Sequence, residues 1–214
     1  MKKAVIFDMD GLLIDSEPLW NKALRKLIEK YGNPKKYFST GNAFLGMKQE
    51  AELQYLLDRE ILSGDLKYLA DRRIDLVIGI MNKNLQMLPG ALALLENLSK
   101  QGYIMALASS SPKVVIDYVV KKLKIKKYFT VIISGDSVRL GKPDPEIYLL
   151  TSKKLDIKPE YCIVLEDAPN GIKAANTAGM KTVGVVNKFA DRKALGGADI
   201  IINNLFEFNL ELLR

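Results

Sequence analysis

Five short apolar runs constrain this chain more than any other feature: Ala4–Phe7, Ile104–Ala108, Val131–Ile133, Cys162–Leu165 and Thr182–Val186, with Ile200–Ile202 as a candidate sixth. Runs of this length that are apolar throughout suit strands buried on both faces, the condition of a parallel sheet covered by helices. Segments of helical length and period lie between them: Ala91–Lys100, Val114–Leu123, Glu146–Leu155 and Gly171–Ala178. This alternation from about residue 88 onward predicts an α/β fold, a doubly wound, Rossmann-like parallel sheet with right-handed crossovers. Residues of about 15 to 85 break the rhythm, with helical patterns at Pro18–Tyr31, Lys48–Leu57 and Leu66–Met81 and no convincing buried strand. The predicted organisation is therefore a core of residues 1–14 and 86–214 interrupted by a helical cap of residues 15–85. An insertion at the end of a strand lies beside the crevice where open α/β sheets bind ligands, so the cap is expected to act as a lid.

Composition narrows the chemistry. A chain of 214 residues, 48% apolar and 27% charged, has the make-up of an ordinary globular protein with one core domain and an insertion. It contains no histidine, which removes Ser/His/Asp and Cys/His nucleophilic machinery and histidine zinc sites together. The single cysteine, Cys162, excludes intramolecular disulfides and thiolate clusters and makes a reducing cytoplasm the expected compartment. A net charge of +7 favours anionic partners without reaching the extreme of nucleic-acid binders. The richest basic run, Lys121–Lys127, has no aromatic interleaving suited to base stacking and reads as a solvated helix end, so no nucleic-acid partner is expected. No membrane partner is expected either. Lys2 and Lys3 precede only Ala4–Phe7, too short for a signal peptide, and no apolar run approaches the roughly 18 residues of a membrane span.

The carboxyl ends of the predicted strands collect chemistry. The first strand delivers Asp8 and Asp10, the Ile104 strand Ser109, Ser110 and Ser111, and the Cys162 strand Glu166 and Asp167, while Lys142 lies between Gly141 and Pro143 ahead of a helix. Clustered carboxylates repel unless a cation neutralises them, and oxygen ligands of this kind suit Mg²⁺ with waters and a substrate phosphate. The lysine and the serine-rich loop supply what a phosphate dianion needs, so the set predicts metal-assisted phosphoryl transfer. Gly135 and Gly141 do not form a P-loop, since five residues separate them and Pro143 stands where Ser or Thr is required.

Four segments also carry a family resemblance: Asp8-Met9-Asp10-Gly11-Leu12-Leu13-Ile14-Asp15, Ala108-Ser109-Ser110, Gly141-Lys142-Pro143-Asp144-Pro145 and Leu165-Glu166-Asp167-Ala168-Pro169-Asn170-Gly171. In this order they resemble the four successive motifs of the haloacid dehalogenase superfamily, and the resemblance spans essentially the whole chain. The β-phosphoglucomutase-like phosphatases with an α-helical cap are the most similar subgroup, including the sugar-phosphate and pseudouridine-5′-phosphatase types. The resemblance implies that Asp8 attacks phosphorus and becomes an aspartyl phosphate, and that Asp10 protonates the leaving oxygen and then deprotonates water. Ser109 and Ser110 would bind phosphate oxygens and Lys142 would offset charge on Asp8 and the phosphoryl group. Mg²⁺ would take Asp8, the backbone carbonyl of Asp10 and Asp167, with Glu166 a direct or water-mediated ligand. Trp20, Gly46 and Lys48 are candidate specificity residues in the cap. The substrate would be a small phosphorylated metabolite, and such proteins often work as monomers.

Structural readings stand beside these. Asp8 and Asp10 could form a capped turn, Lys142 could be a surface lysine, Ser109 to Ser111 could cap the following helix, and Asp167 could cap the helix from Pro169. Cys162 reads as a small buried hydrophobe, and Trp20 and Met47 as packing residues. Among functional alternatives, a sugar phosphomutase shares nucleophile, metal and fold. The position matching the mutases' cap histidine is Trp20 here, however, and Lys48-Gln49 replaces their arginine pattern. A dehalogenase leaves Asp10 and Asp167 unexplained. A catalytically silent binding module leaves the filled set of motif positions unexplained.

Overall fold

The computed structural model describes residues 3–38, 49–209 and 211. The chain divides into two compact units, Met1–Asp15 with Gln86–Arg214, and Ser16–Leu85.

The first unit is an α/β fold built on six parallel strands: β1 (Ala4–Phe7), β2 (Ile104–Ser109), β3 (Val131–Ser134), β4 (Cys162–Glu166), β5 (Lys181–Val185) and β6 (Ile200–Ile202). Their order across the sheet is β3-β2-β1-β4-β5-β6. The chain winds outward from β1 in one direction and then in the other, which is the doubly wound arrangement. All four residues of β1 are fully buried, so its backbone polar groups must find partners in the sheet, and it pairs on both sides. That is why the run is apolar at every position rather than at alternate ones.

Four helices accompany the strands, α5 (Ala91–Lys100), α6 (Lys113–Lys122), α7 (Glu146–Leu155) and α8 (Pro169–Thr177), where the numbering counts those of the second unit. Ala4 and Ile6 of β1 join Ala106, Ala108, Cys162 and Val164 in one core with Ile147, Tyr148, Ala174 and Ala175 from α7 and α8. Every second strand residue contributes, as the two-residue period of a strand requires, and the alanines let the helices approach closely. Cys162 is a buried free thiol in this layer, its pKa pushed up to about 11 by burial. Phe7 points the other way and meets Phe129 edge to face at 6.2 Å.

The second unit holds α1 (Glu17–Tyr31), α2 (Pro34–Phe38), α3 (Gln49–Asp58) and α4 (Leu66–Asn84). Leu24, Leu27 and Ile28 place an i, i+3, i+4 stripe of α1 against Leu53, Leu56 and Leu69. Asp65 caps α4 by accepting from the Tyr68 N–H at 2.8 Å. Buried Arg73 donates to Glu52 at 2.6 Å and lies 5.4 Å from the Trp20 ring centroid, so Trp20 takes part in this unit's packing. The lysines from Lys121 to Lys127 are exposed at and beyond the end of α6, apart from half-buried Leu123 and buried Ile125 between them. No described helix is long and apolar enough to cross a membrane.

Candidate active site

Register decides what meets at the mouth of the sheet. Phe7 pairs with Leu107 on one side and Leu165 on the other. The residues that follow, Asp8, Ala108 with Ser109, and Glu166 with Asp167, therefore leave three adjacent strands at one level, about 4.8 Å from strand to strand. Asp8 still belongs to the ladder through its N–H, which donates to Leu165 O at 3.1 Å. Beyond it the chain closes a tight turn: the Leu13 and Ile14 N–H groups donate to Met9 O at 3.0 and 3.1 Å, and the Gly11 N–H donates to Ile14 O at 2.9 Å. Buried Met9, Leu12, Leu13 and Ile14 anchor this turn. Gly11 has φ +82°, and a Cβ there would overlap Asp167 Oδ2. Glycine is required both by the left-handed backbone and by the closeness of that carboxylate.

Lys142 is the centre of the charge pattern. Its Nζ donates to Asp8 Oδ1 and to Glu166 Oε1, each at 2.6 Å, and to Ala108 O at 3.3 Å. All three ammonium hydrogens are thus engaged, and the lysine is 9% exposed rather than a surface residue. Burial works against its charge, but the facing carboxylates of Asp8 and Glu166 outweigh that and hold its pKa well above the usual lysine range. The Lys142–Pro143 peptide is cis.

Glu166 is fully engaged. Oε1 accepts from Lys142 Nζ and from the Tyr148 hydroxyl at 2.7 Å, and Oε2 accepts from the N–H groups of Asp167 at 3.0 Å and Ala168 at 3.1 Å. Four donors fill the roughly four lone-pair positions of a carboxylate. Gly171 is needed beside it, because a Cβ there would overlap Glu166 Oε1. Asp167 differs. Its Oδ2 accepts from Asn187 Nδ2 at 2.6 Å, while its buried Oδ1 has no hydrogen-bond partner. Asp8, Glu166 and Asp167 each offer an oxygen such that the three lie within 4.8 Å of one another.

With one lysine facing three buried acids, the cluster carries excess negative charge, and the pKa values record it. Burial pushes the Asp8 carboxyl up to about 8, with Lys142 working against the shift and Glu166 and Asp10 adding to it. Burial, then Glu166 and Asp8, drive Asp167 well above the usual carboxylate range. A hard divalent cation fits this donor set: it would neutralise the surplus charge and satisfy the orphaned Asp167 oxygen.

Asp10 turns to a different neighbour. Its Oδ2 accepts from the Ser109 hydroxyl at 3.0 Å and the Ser111 hydroxyl at 2.7 Å. Ser109 Oγ in turn accepts from the Ser111 N–H at 3.0 Å, and Ser110 is exposed. None of the three serines caps α6; Asp136 does that work, accepting from the Lys113 N–H at 2.6 Å. Nor does Asp167 cap α8, whose N-cap position is held by Ala168, with no side-chain bond to the helix. Of the residues singled out from sequence, Asp8, Lys142, Glu166 and Asp167 are joined by one set of bonds, and Asp10 and Ser109 by a second. Ser110 is in neither, Trp20 belongs to the helical unit, and Gly46 and Lys48 lie outside the described residues. Sequence reasoning passed over Tyr148 and Asn187, and named Ser111 at this strand end without a partner in Asp10. Tyr148 sat on an apolar helix face, and Asn187 belonged to no motif.

A doubly wound sheet with an aspartate at its central strand end, a lysine across from it and paired acids on the next strand defines a hydrolase class. The model of the haloacid dehalogenase-like hydrolases matches residues 5–185, and the chain belongs to that family. Within it the chain lies among phosphatases. It is 36% identical over 194 residues to a phosphorylated carbohydrates phosphatase of Thermotoga maritima, covering 90% of this chain and 89% of that protein. It is 31% identical to hexitol phosphatase B of Escherichia coli, covering 84% and 82%. The solved structure of a β-phosphoglucomutase from Clostridium difficile superposes with a TM-score of 0.83 at 26% identity, over 99% of this chain and 95% of that one.

Proposed function

We propose that this protein is a Mg²⁺-dependent phosphatase that hydrolyses a small phosphorylated metabolite, a sugar phosphate or nucleotide-like monophosphate, through an aspartyl phosphate on Asp8. The observation that carries the reading is the pairing of Asp8 with Lys142 beside a buried Asp167 oxygen that lacks a partner. Mg²⁺ would be held by Asp8, Asp167 and the backbone carbonyl of Asp10, and would offset the charge of the acids and of the incoming phosphate. Glu166, its acceptor positions filled, acts through its neighbours by fixing Lys142.

Lys142 orients the Asp8 carboxylate and attracts the phosphate dianion. An Asp8 oxygen attacks phosphorus, and the bond from phosphorus to the ester oxygen breaks. Asp10 delivers its proton to that leaving oxygen, releasing the alcohol. The resulting Asp10 carboxylate takes a proton from water as the water oxygen attacks phosphorus, and the bond from phosphorus to the Asp8 oxygen breaks, which frees inorganic phosphate and restores both groups. Hydroxyl bonds from Ser109 and Ser111 hold Asp10 for both transfers, and Ser109 and Ser110 border the phosphate. The helical unit Ser16–Leu85 is the segment we assign to substrate choice, as the cap.

The test is phosphate release from a generic aryl phosphate: activity with Mg²⁺, none in EDTA, and none in Asp8→Asn. Undiminished turnover by Asp8→Asn would remove the nucleophile. The likeness to β-phosphoglucomutase keeps a mutase reading in view; conversion of a sugar 1-phosphate to the 6-phosphate in the presence of a bisphosphate primer would favour it over hydrolysis.

A further inference from the structure

Asn187, in the loop after β5, makes contacts that no turn needs. Its Oδ1 accepts from the N–H groups of Phe189 at 2.7 Å and Ala190 at 2.8 Å, which is an ordinary side-chain turn within the loop. Those two donors fix which end of the amide is oxygen, so the nitrogen must face the other way. There it donates to Asp167 Oδ2 at 2.6 Å and to Gly11 O at 3.3 Å. The loop is fastened to the turn after β1 a second time by Lys188, whose Nζ donates to Asp15 Oδ2 at 2.6 Å.

The consequence falls on Asp167. A carboxylate can rotate, and with nothing on either oxygen its orientation toward an ion is not fixed. Asn187 holds Oδ2, and the absence of a Cβ at Gly11 makes room for that oxygen. The other oxygen, Oδ1, is left buried and without a donor. We propose that Asn187 is a positioning residue for divalent cation binding: it selects the rotamer of Asp167 and reserves Oδ1 for the ion. This deepens the metal-dependent reading above and rests on it. A hydrogen-bond partner behind a ligating carboxylate fixes its orientation, and loss of such a partner typically costs 10- to 100-fold in metal affinity or activity.

The test is calorimetric titration of metal-free protein with Mg²⁺ and Mn²⁺, comparing wild type with Asn187→Ser. Serine keeps an acceptor for the backbone N–H two residues on but is too short to reach Asp167. The proposal expects Asn187→Ser to bind the cation about tenfold more weakly or worse, while phosphatase turnover returns toward the wild-type value at saturating Mg²⁺. Unchanged cation affinity in Asn187→Ser would overturn it. So would weakened affinity with turnover that saturating Mg²⁺ does not recover, since that is the mark of a general loop defect. If wild type itself binds no divalent cation, the metal-dependent reading falls as well, a result distinct from the other two.

Discussion

The two flanks of Asp8 are built from the same kind of residue and finished differently. On one flank Glu166 accepts from Lys142, Tyr148 and two backbone N–H groups, so that its acceptor positions are filled by the protein itself. On the other flank Asp167, one residue along the chain, has a single side-chain donor, Asn187, and a buried oxygen with none. In the function proposed above, adjacent acids on one strand end thus have opposite tasks. The first is a structural counter-ion that keeps a lysine aimed at Asp8, and the second is left incomplete in a way that a cation completes. Burial alone does not mark an acid as a ligand; its remaining hydrogen-bonding capacity does.

The largest effect expected from breaking this contrast is on the finished flank. Lys142→Met leaves Asp8 and Glu166 buried without their cation, and removing one member of a buried pair costs about 3–5 kcal/mol. Urea unfolding should show that loss, together with loss of phosphatase activity. A stability change within error would mean that the pair carries no energetic weight.

The next effect is on the unfinished flank and depends on pH. Aspartate ordinarily loses its proton near 4, whereas Asp8 is pushed up to about 8 and Asp167 is raised as well. The folded protein therefore keeps protons that the unfolded chain has released, so stability present below about pH 4 is progressively lost as pH rises toward about 8. Melting of the metal-free protein should fall between pH 5 and 8, and Mg²⁺ should raise the melting temperature more at pH 8 than at pH 5. Asp167→Asn should flatten the pH dependence and abolish most of the Mg²⁺ effect. A melting curve rising with pH in EDTA would contradict the charge assignment.

Tyr148→Phe should give the smallest change. It removes one of four donors to Glu166 and keeps the ring beneath Lys142, whose Nζ lies 5.0 Å from its centroid. A loss of about 1 kcal/mol in unfolding stability is expected, with cation affinity unchanged because Asp167 is untouched. Weakened Mg²⁺ binding in this variant would erase the distinction between the flanks.

Much of this was legible in the sequence because buried parallel strands declare themselves. Ala4–Phe7 and Cys162–Leu165 must be apolar on both faces, and whatever follows them must emerge at the sheet mouth. Asp8, Glu166 and Asp167 could be read as one cluster on that ground alone, whereas Asp10, expected in the same cluster, turns to the serines. Partner choice was not legible. Whether Ser109 reaches a helix N–H or Asp10 depends on the turn at Gly11 and on Asp136 supplying the cap from another strand end. Tyr148 looks like any core residue of an amphipathic helix, since its function lies in one hydroxyl. Asn187 reaches its partner across 20 positions of sequence, and only the sheet order brings the two loops together. The short helix α2 escaped for a local reason: Pro34 can begin a helix, but Lys35 and Lys36 leave no apolar period to recognise.

The central claim is that Asp8 is the group that takes the phosphoryl. It is tested most directly by acid-quenching the protein during turnover, reducing any acyl phosphate with borohydride, and locating the modified peptide by mass spectrometry. The account predicts modification at Asp8 alone, formed with Mg²⁺ and absent in EDTA. Steady turnover with no modified Asp8, or with the phosphoryl trapped on another residue, would contradict it.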